Sequence, residues 1–125
     1  NAPAEQRFMD DFLERRERGL GRFITRDEIE QRGIVQLSQL LYTIPAVKVR
    51  PNPRAGRSPL IEGRGGCEPD VFVNGMRVAD GHSDVDAIVR PQDILAIEVH
   101  DAINGVPSAF GVTKQCLVVG IWTRR

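Results

Sequence analysis

The stretch AIEVHDAINGVPSAFG, residues 96–111, sets His100 and Asp101 side by side and follows them with Ser108. A serine hydrolase needs those three residue types, with the acid and the imidazole on one side of the chain. Neighbours in an extended strand point to opposite faces, so His100 and Asp101 are badly placed to share a hydrogen bond. Ser108 stands in GVPSA rather than in a Gly-x-Ser-x-Gly elbow, which removes the strained turn that exposes a nucleophile. Asp80, His82, Asp84 and Asp86 form a second cluster with metal-binding chemistry. They lack the sixth-position glycine and the closing glutamate of an EF-hand, and helix capping accounts for Asp84 without a metal. Two cysteines and two histidines give no zinc spacing, and no glycine-rich phosphate loop is present. The expectation is a protein without a catalytic residue, a metal or a small-molecule cofactor.

Two further sets have chemistry of a different kind. Residues 50–66, RPNPRAGRSPLIEGRGG, carry Arg50, Arg54, Arg57 and Arg64 against the single acid Glu62. Proline, glycine and the lack of periodicity make this a long loop, either a solvated insertion or a partner-binding segment. The chain's 17 basic and 17 acidic residues cancel, so no global field draws it to nucleic acid or anionic lipid. Nearly all of the basic residues are arginine, with Lys48 and Lys114 the only lysines, which favours fixed, forked contacts with carboxylates. Cys67 and Cys116 each stand just before a β-type run. Strand starts can lie side by side, so a disulfide is geometrically reasonable in an oxidising compartment; two buried free thiols are the alternative.

These residues need elements to hold them, and 125 residues suit one core better than two. RFMDDFLERRERGLG places Phe8, Met9, Phe12 and Leu13 on one helical arc, with Gly19 as a stop and Arg16 inside the apolar arc. Arg16 is therefore expected to meet solvent or an acidic partner. RFIT is a short strand, and Thr25 with Glu28 forms a capping box for a helix ending at Gly33. VQLSQLLYT is a second helical run, closed by Pro45, and AVKVR alternates as a strand with Val47 and Val49 inward. VFVNGMRV places Asn74-Gly75, the preferred pair of a type I′ turn, between two β runs. GHSDVDAIV is a short helix capped by Ser83 or Asp84. LAIEVH is a strand with Ile97 and Val99 on one face, and CLVVGIWTR, apolar on both faces, suits a central strand.

In this order the pieces resemble the plug domain of TonB-dependent outer-membrane receptors. ITRDEIEQRGIVQLSQLLYTIPAVKV resembles the family's opening, a capped helix and a Leu-Leu helix leading into an Ile-Pro-Gly-Val strand. VFVNGMRVADG is similar to its Ile-Asp-Gly-x-Arg hairpin, PQDILAIEV to its Pro-x-Asp-Ile-x-x-Ile-Glu-Val strand, PSAFG to its Ser-Ala-x-Tyr-Gly, and VVGIWTRR to its closing strand. The resemblance implies a small α+β, plug-like fold with a mixed four- to five-stranded sheet, two to three helices and the long Arg/Pro/Gly loop. It divides the chain into an N-terminal amphipathic helix, residues 1–22, and a plug-like domain, residues 23–125. It also implies a periplasmic location. The sequence departs from the family where DAINGVP replaces Arg-Gly-Pro and KQC replaces Gly-Gly, and no energy-coupling box is recognisable ahead of the first helix. A receptor would continue past Arg125 into a barrel. From these departures the first expectation is a stand-alone, non-enzymatic module peripheral to a membrane. It would dock as an extrinsic subunit on protein subunits of an envelope complex (transport, respiratory or photosynthetic) through Arg16, Arg50, Arg54, Arg57 and Arg64. The alternative is the plug of a TonB-dependent transporter gating siderophore or nutrient uptake.

Overall fold

Strand β7 (Leu117–Thr123), apolar on both faces in sequence, sits at the centre of a five-stranded mixed sheet of order β1-β6-β7-β4-β5. Its neighbours are β6 (Ile94–Asp101), antiparallel with Ile97 opposite Ile121, and β4 (Pro69–Val73), parallel with Val71 opposite Val119. The edges are β1 (Arg22–Thr25) and β5 (Met76–Asp80). The structure, a computed structural model, describes residues 2–19, 21–33, 36–54, 56, 59–80, 85–101, 105–107, 110–111, 113 and 115–124. The expected α+β fold is observed, with three helices: α1 (Ala2–Arg18), α2 (Arg26–Arg32) and α3 (Leu37–Leu41).

Both faces of the sheet are covered, which is why β7 needs no polar side. On one face Ile97, Val99, Val119 and Ile121 pack with Ile29 of α2 and with Leu37, Leu40 and Leu41 of α3. On the other, Phe72, Ala96, Val118 and Trp122 pack with Phe110 and with Phe12 of α1. The hairpin turn at Asn74-Gly75 forms as its sequence demands, with φ of 52° and 86°. The Asn74 side chain is tied to the neighbouring strand: its amide nitrogen donates to Thr123 Oγ1 at 2.8 Å, and its oxygen accepts from the Thr123 N–H at 2.9 Å.

Four local expectations are corrected. Thr25 occupies the N-cap position of α2 but its side chain makes no capping hydrogen bond, and the Glu28 carboxylate, which would supply the other half of the box, is drawn to Arg22 at 2.9 Å and Arg32 at 3.2 Å. The reciprocal capping box occurs instead at α3, between Gln36 and Gln39. Residues 50–66 are not loop throughout: β3 (Leu60–Glu62) pairs antiparallel with β2 (Lys48–Arg50) as a separate two-stranded ribbon, since Ile61 needs burial and finds it in the core. Helix α1 turns Phe12 inward and leaves Leu13 41 % exposed. Its inner row is Met9, Phe12 and Arg15, three apart, and Arg16 is exposed. The region after β5 holds only a 3₁₀ turn, Val85–Ala87; the proposed caps Ser83 and Asp84 lie outside the described residues.

Candidate functional site

The arginines of the 50–66 segment are not one free basic patch. The Arg50 guanidinium reaches Glu62 at 3.2 Å across the β2–β3 ribbon, and Arg64 reaches Asp101 at 3.4 Å on β6. Both acids are nearly buried, so of the expected partner-binding residues Arg50 closes the ribbon on itself and Arg64 holds the segment to β6. Arg54 is exposed, and Arg57 lies outside the described residues. Arg50 and Arg54 do border an open groove of about 830 Å³ between α3 and the segment after β2, whose rim includes Gln36, Gln39, Asn52 and the exposed Tyr42. Arg16 stands well apart, on the solvent side of α1.

The cysteines do meet. Cys67 and Cys116 form a disulfide with a Cα–Cα distance of 6.3 Å, immediately before the parallel pair Pro69 and Leu117. Neighbouring parallel strands begin close enough for a bond of ordinary span. Of the acidic cluster, Asp86 is engaged at α3: its carboxylate accepts from the Ser38 N–H at 2.7 Å and the Ser38 hydroxyl at 2.6 Å. His82 and Asp84 lie outside the described residues, as does Ser108. Among the described residues no group of three His, Cys, Asp or Glu side chains is placed to hold a metal.

His100 and Asp101 point to opposite faces, as the strand period requires. Asp101 meets Arg64, whereas His100 lies inside, its Nε2 2.9 Å from Glu98 Oε1. Glu98 is the centre of the most concentrated buried polar chemistry among the described residues. Arg15 of α1 grips it as a fork, Nε to Oε1 at 2.8 Å and Nη2 to Oε2 at 2.6 Å, and Trp122 Nε1 donates to Oε2 at 2.7 Å. The guanidinium lies 5.6 Å from the Phe110 ring centre and 5.9 Å from that of Trp122. Opposite His100, Gly21 leaves the space the imidazole uses: a Cβ there would stand 2.6 Å from Nδ1. An ionised carboxylate only accepts, so the proton shared by His100 and Glu98 resides on Nε2.

Burial alone would push the Glu98 carboxyl up. The hydrogen bonds from Arg15, His100 and Trp122 and the Arg15 charge outweigh it and hold the carboxyl below its usual value. Arg15 is pushed up in turn, chiefly by its hydrogen bonds to Glu98. Neither Glu98, Arg15 nor Trp122 stands out in the sequence as a site residue. The available signal was indirect: alternation in LAIEVH puts Glu98 on the face of His100, and a strand apolar on both sides says that this face is covered.

The fold is similar to part of several known receptors. The siderophore receptor PirA from Acinetobacter baumannii matches 83 % of this chain with a TM-score of 0.63 at 20 % identity, over 17 % of its own length. A variant of the ferric enterobactin receptor from Pseudomonas aeruginosa matches 83 % of this chain with a TM-score of 0.64 at 25 % identity, again over 17 % of its length. The siderophore receptor PirA from Pseudomonas aeruginosa is 27 % identical over 83 % of this chain and 18 % of its own, with a TM-score of 0.55. The chain thus spans about one-sixth of the length of these receptors. No curated protein matches the sequence. The family profile of the TonB-dependent receptor plug domain matches residues 22–112, from the first residue of β1 to just past the Phe110 that stacks on Arg15. By that match over most of its length, this chain belongs to the TonB-dependent receptor plug domain family.

Proposed function

We propose that the domain is the plug of an outer-membrane receptor, a non-enzymatic element that faces the periplasm and gates the uptake of a siderophore-bound metal or a comparable nutrient. The observation that carries this reading is the family match over residues 22–112, together with structural neighbours that are siderophore receptors. The expectation of an extrinsic subunit docked on another envelope complex draws no support from those neighbours. No helix among the described residues is long and apolar enough to cross a membrane, so attachment to the membrane would come from outside the helices described. Within this reading, the groove edged by Tyr42 and Arg54 is the surface available to cargo or to the surrounding wall, since it is concave and combines an aromatic face with a guanidinium. The partner on the periplasmic side would be a TonB-type energy-coupling protein.

The test is made in the native host under iron limitation. Envelopes are separated into inner membrane, outer membrane and soluble periplasm, the protein carrying this domain is followed by antibody, and uptake of radio-iron on a panel of siderophores is measured with and without its gene. Recovery in the outer membrane, with loss of uptake of at least one siderophore on deletion, is expected. Recovery with an inner-membrane complex or in the soluble fraction, with uptake intact, would overturn the reading.

A further inference from the structure

Over residues 9–18, helix α1 meets the sheet through a single row of side chains. From residue 9 to residue 18 only Met9, Phe12 and Arg15 turn inward; Asp10, Asp11, Leu13, Glu14, Arg16, Glu17 and Arg18 are exposed. Phe12 is fully buried, its ring edge-on to Phe23 at 5.5 Å between centres. Arg15 fills a socket with three matched walls. The Glu98 carboxylate offers both oxygens to the guanidinium fork, and the rings of Phe110 and Trp122 lie within 6 Å of it. The carboxylate is fixed from behind, because Trp122 and His100 each spend a donor on it. Everything in the socket except Arg15 comes from the sheet or from the segment before β7, so it is complete without α1. A fork of two donors onto two oxygens and flat cation stacking are properties of arginine that lysine does not reproduce.

We propose that Glu98, Phe110 and Trp122 form an arginine-binding socket, that Arg15 is its internal occupant, and that α1 is a displaceable cap. The outside ligand this fits is an amphipathic helical segment of a partner protein that presents an apolar residue three positions before an arginine, the spacing of Phe12 and Arg15. The bond chemistry favours such exchange over simple release. A buried carboxylate left without a counter-charge is costly, whereas one guanidinium replacing another keeps every hydrogen bond. Gly19 and Gly21, at φ of 75° and 119°, stand between α1 and β1 in backbone conformations that other residues rarely adopt, so the turn that brings α1 onto the sheet depends on glycine. The inference does not rest on the gating role proposed above; it concerns what the domain can hold, in whatever assembly it works.

The test uses the full chain and a synthetic peptide with the sequence of residues 2–18, APAEQRFMDDFLERRER, as the probe. Trp122 is the protein's only tryptophan and the peptide has none, so its emission reports the socket alone. Arg15→Ala in the protein empties the socket's centre. The peptide is expected to bind this variant, with a saturable change in Trp122 emission, at least about tenfold more tightly than it binds wild type. Lysine or alanine in place of the peptide's own Arg15 should each cost at least about tenfold, as should Glu98→Gln in the protein. Amide exchange on wild type, where folding is not in question, supplies the second measurement: excess peptide should speed exchange along α1, and the alanine peptide should not. Equal binding by the arginine, lysine and alanine peptides, or α1 exchange that excess peptide leaves unchanged, would overturn the proposal.

Discussion

Glu98 is fully buried and still ionised, which places a pH dependence in the fold. Its folded pKa lies below the usual 4.5, so the native state binds fewer protons than the unfolded chain as the pH approaches that value. Its contribution to stability is therefore complete above the unfolded value and is lost as the pH falls through the folded one. Urea denaturation from about pH 7 down to about pH 2 should show this loss in wild type, and Glu98→Gln should flatten the acid limb while lowering stability at neutral pH. Arg15→Ala removes the strongest partner and leaves the carboxylate inside; a loss of about 3 kcal/mol is expected from urea midpoints at neutral pH. Arg15→Lys should recover only part of it, because one ammonium cannot serve both oxygens from the ring-lined seat.

At the level of elements, Asn74 ties the β4–β5 hairpin to β7 with two side-chain hydrogen bonds and sits in left-handed backbone. Asn74→Ala should cost about 1 to 2 kcal/mol, whereas Thr123→Val, which removes only the hydroxyl, should cost less; thermal unfolding of both compares them. This hairpin was legible because Asn-Gly is a local instruction. The same holds for β6, whose alternation puts Ile97 and Val99 on one face, and for β7, whose two apolar faces mark a central strand. What escaped the sequence was non-local. Strand β3 is three residues long among prolines and glycines, and only its pairing with β2 and the burial of Ile61 define it. Arg15 turns to the buried carboxylate of Glu98 on β6, which draws a guanidinium more strongly than an exposed one does. Glu28 is likewise drawn away from the capping box, by two part-exposed arginines, Arg22 and Arg32. The family's opening helices and closing strand were recognisable as motifs, while the socket around Glu98 joins residues 15, 98, 110 and 122, which no short motif spans.

For the whole molecule, the Cys67–Cys116 disulfide closes a loop with a sequence separation of 49 across the region that contains β4, β5 and β6. In the chain-entropy account such a loop stabilises by about 4 kcal/mol, so reduction, or the double change Cys67→Ser with Cys116→Ser, should lower the urea midpoint correspondingly. A reductant should then have no further effect on the double variant. If reduction leaves the midpoint unchanged, the staple contributes nothing beyond the strand pairing it adjoins.

The central place of β7 also sets an order in time. Strands β1 and β6 form one half of the sheet, β4 and β5 the other, and the two halves are joined in strand pairing through β7. A ribosome delivers those residues after all the strands they must join. Until then each half is a two-stranded piece with one open flank and no shared core, and such pieces are at best marginal in water. The five-stranded sheet thus closes only when β7 is in place, and is not built up from its first strand.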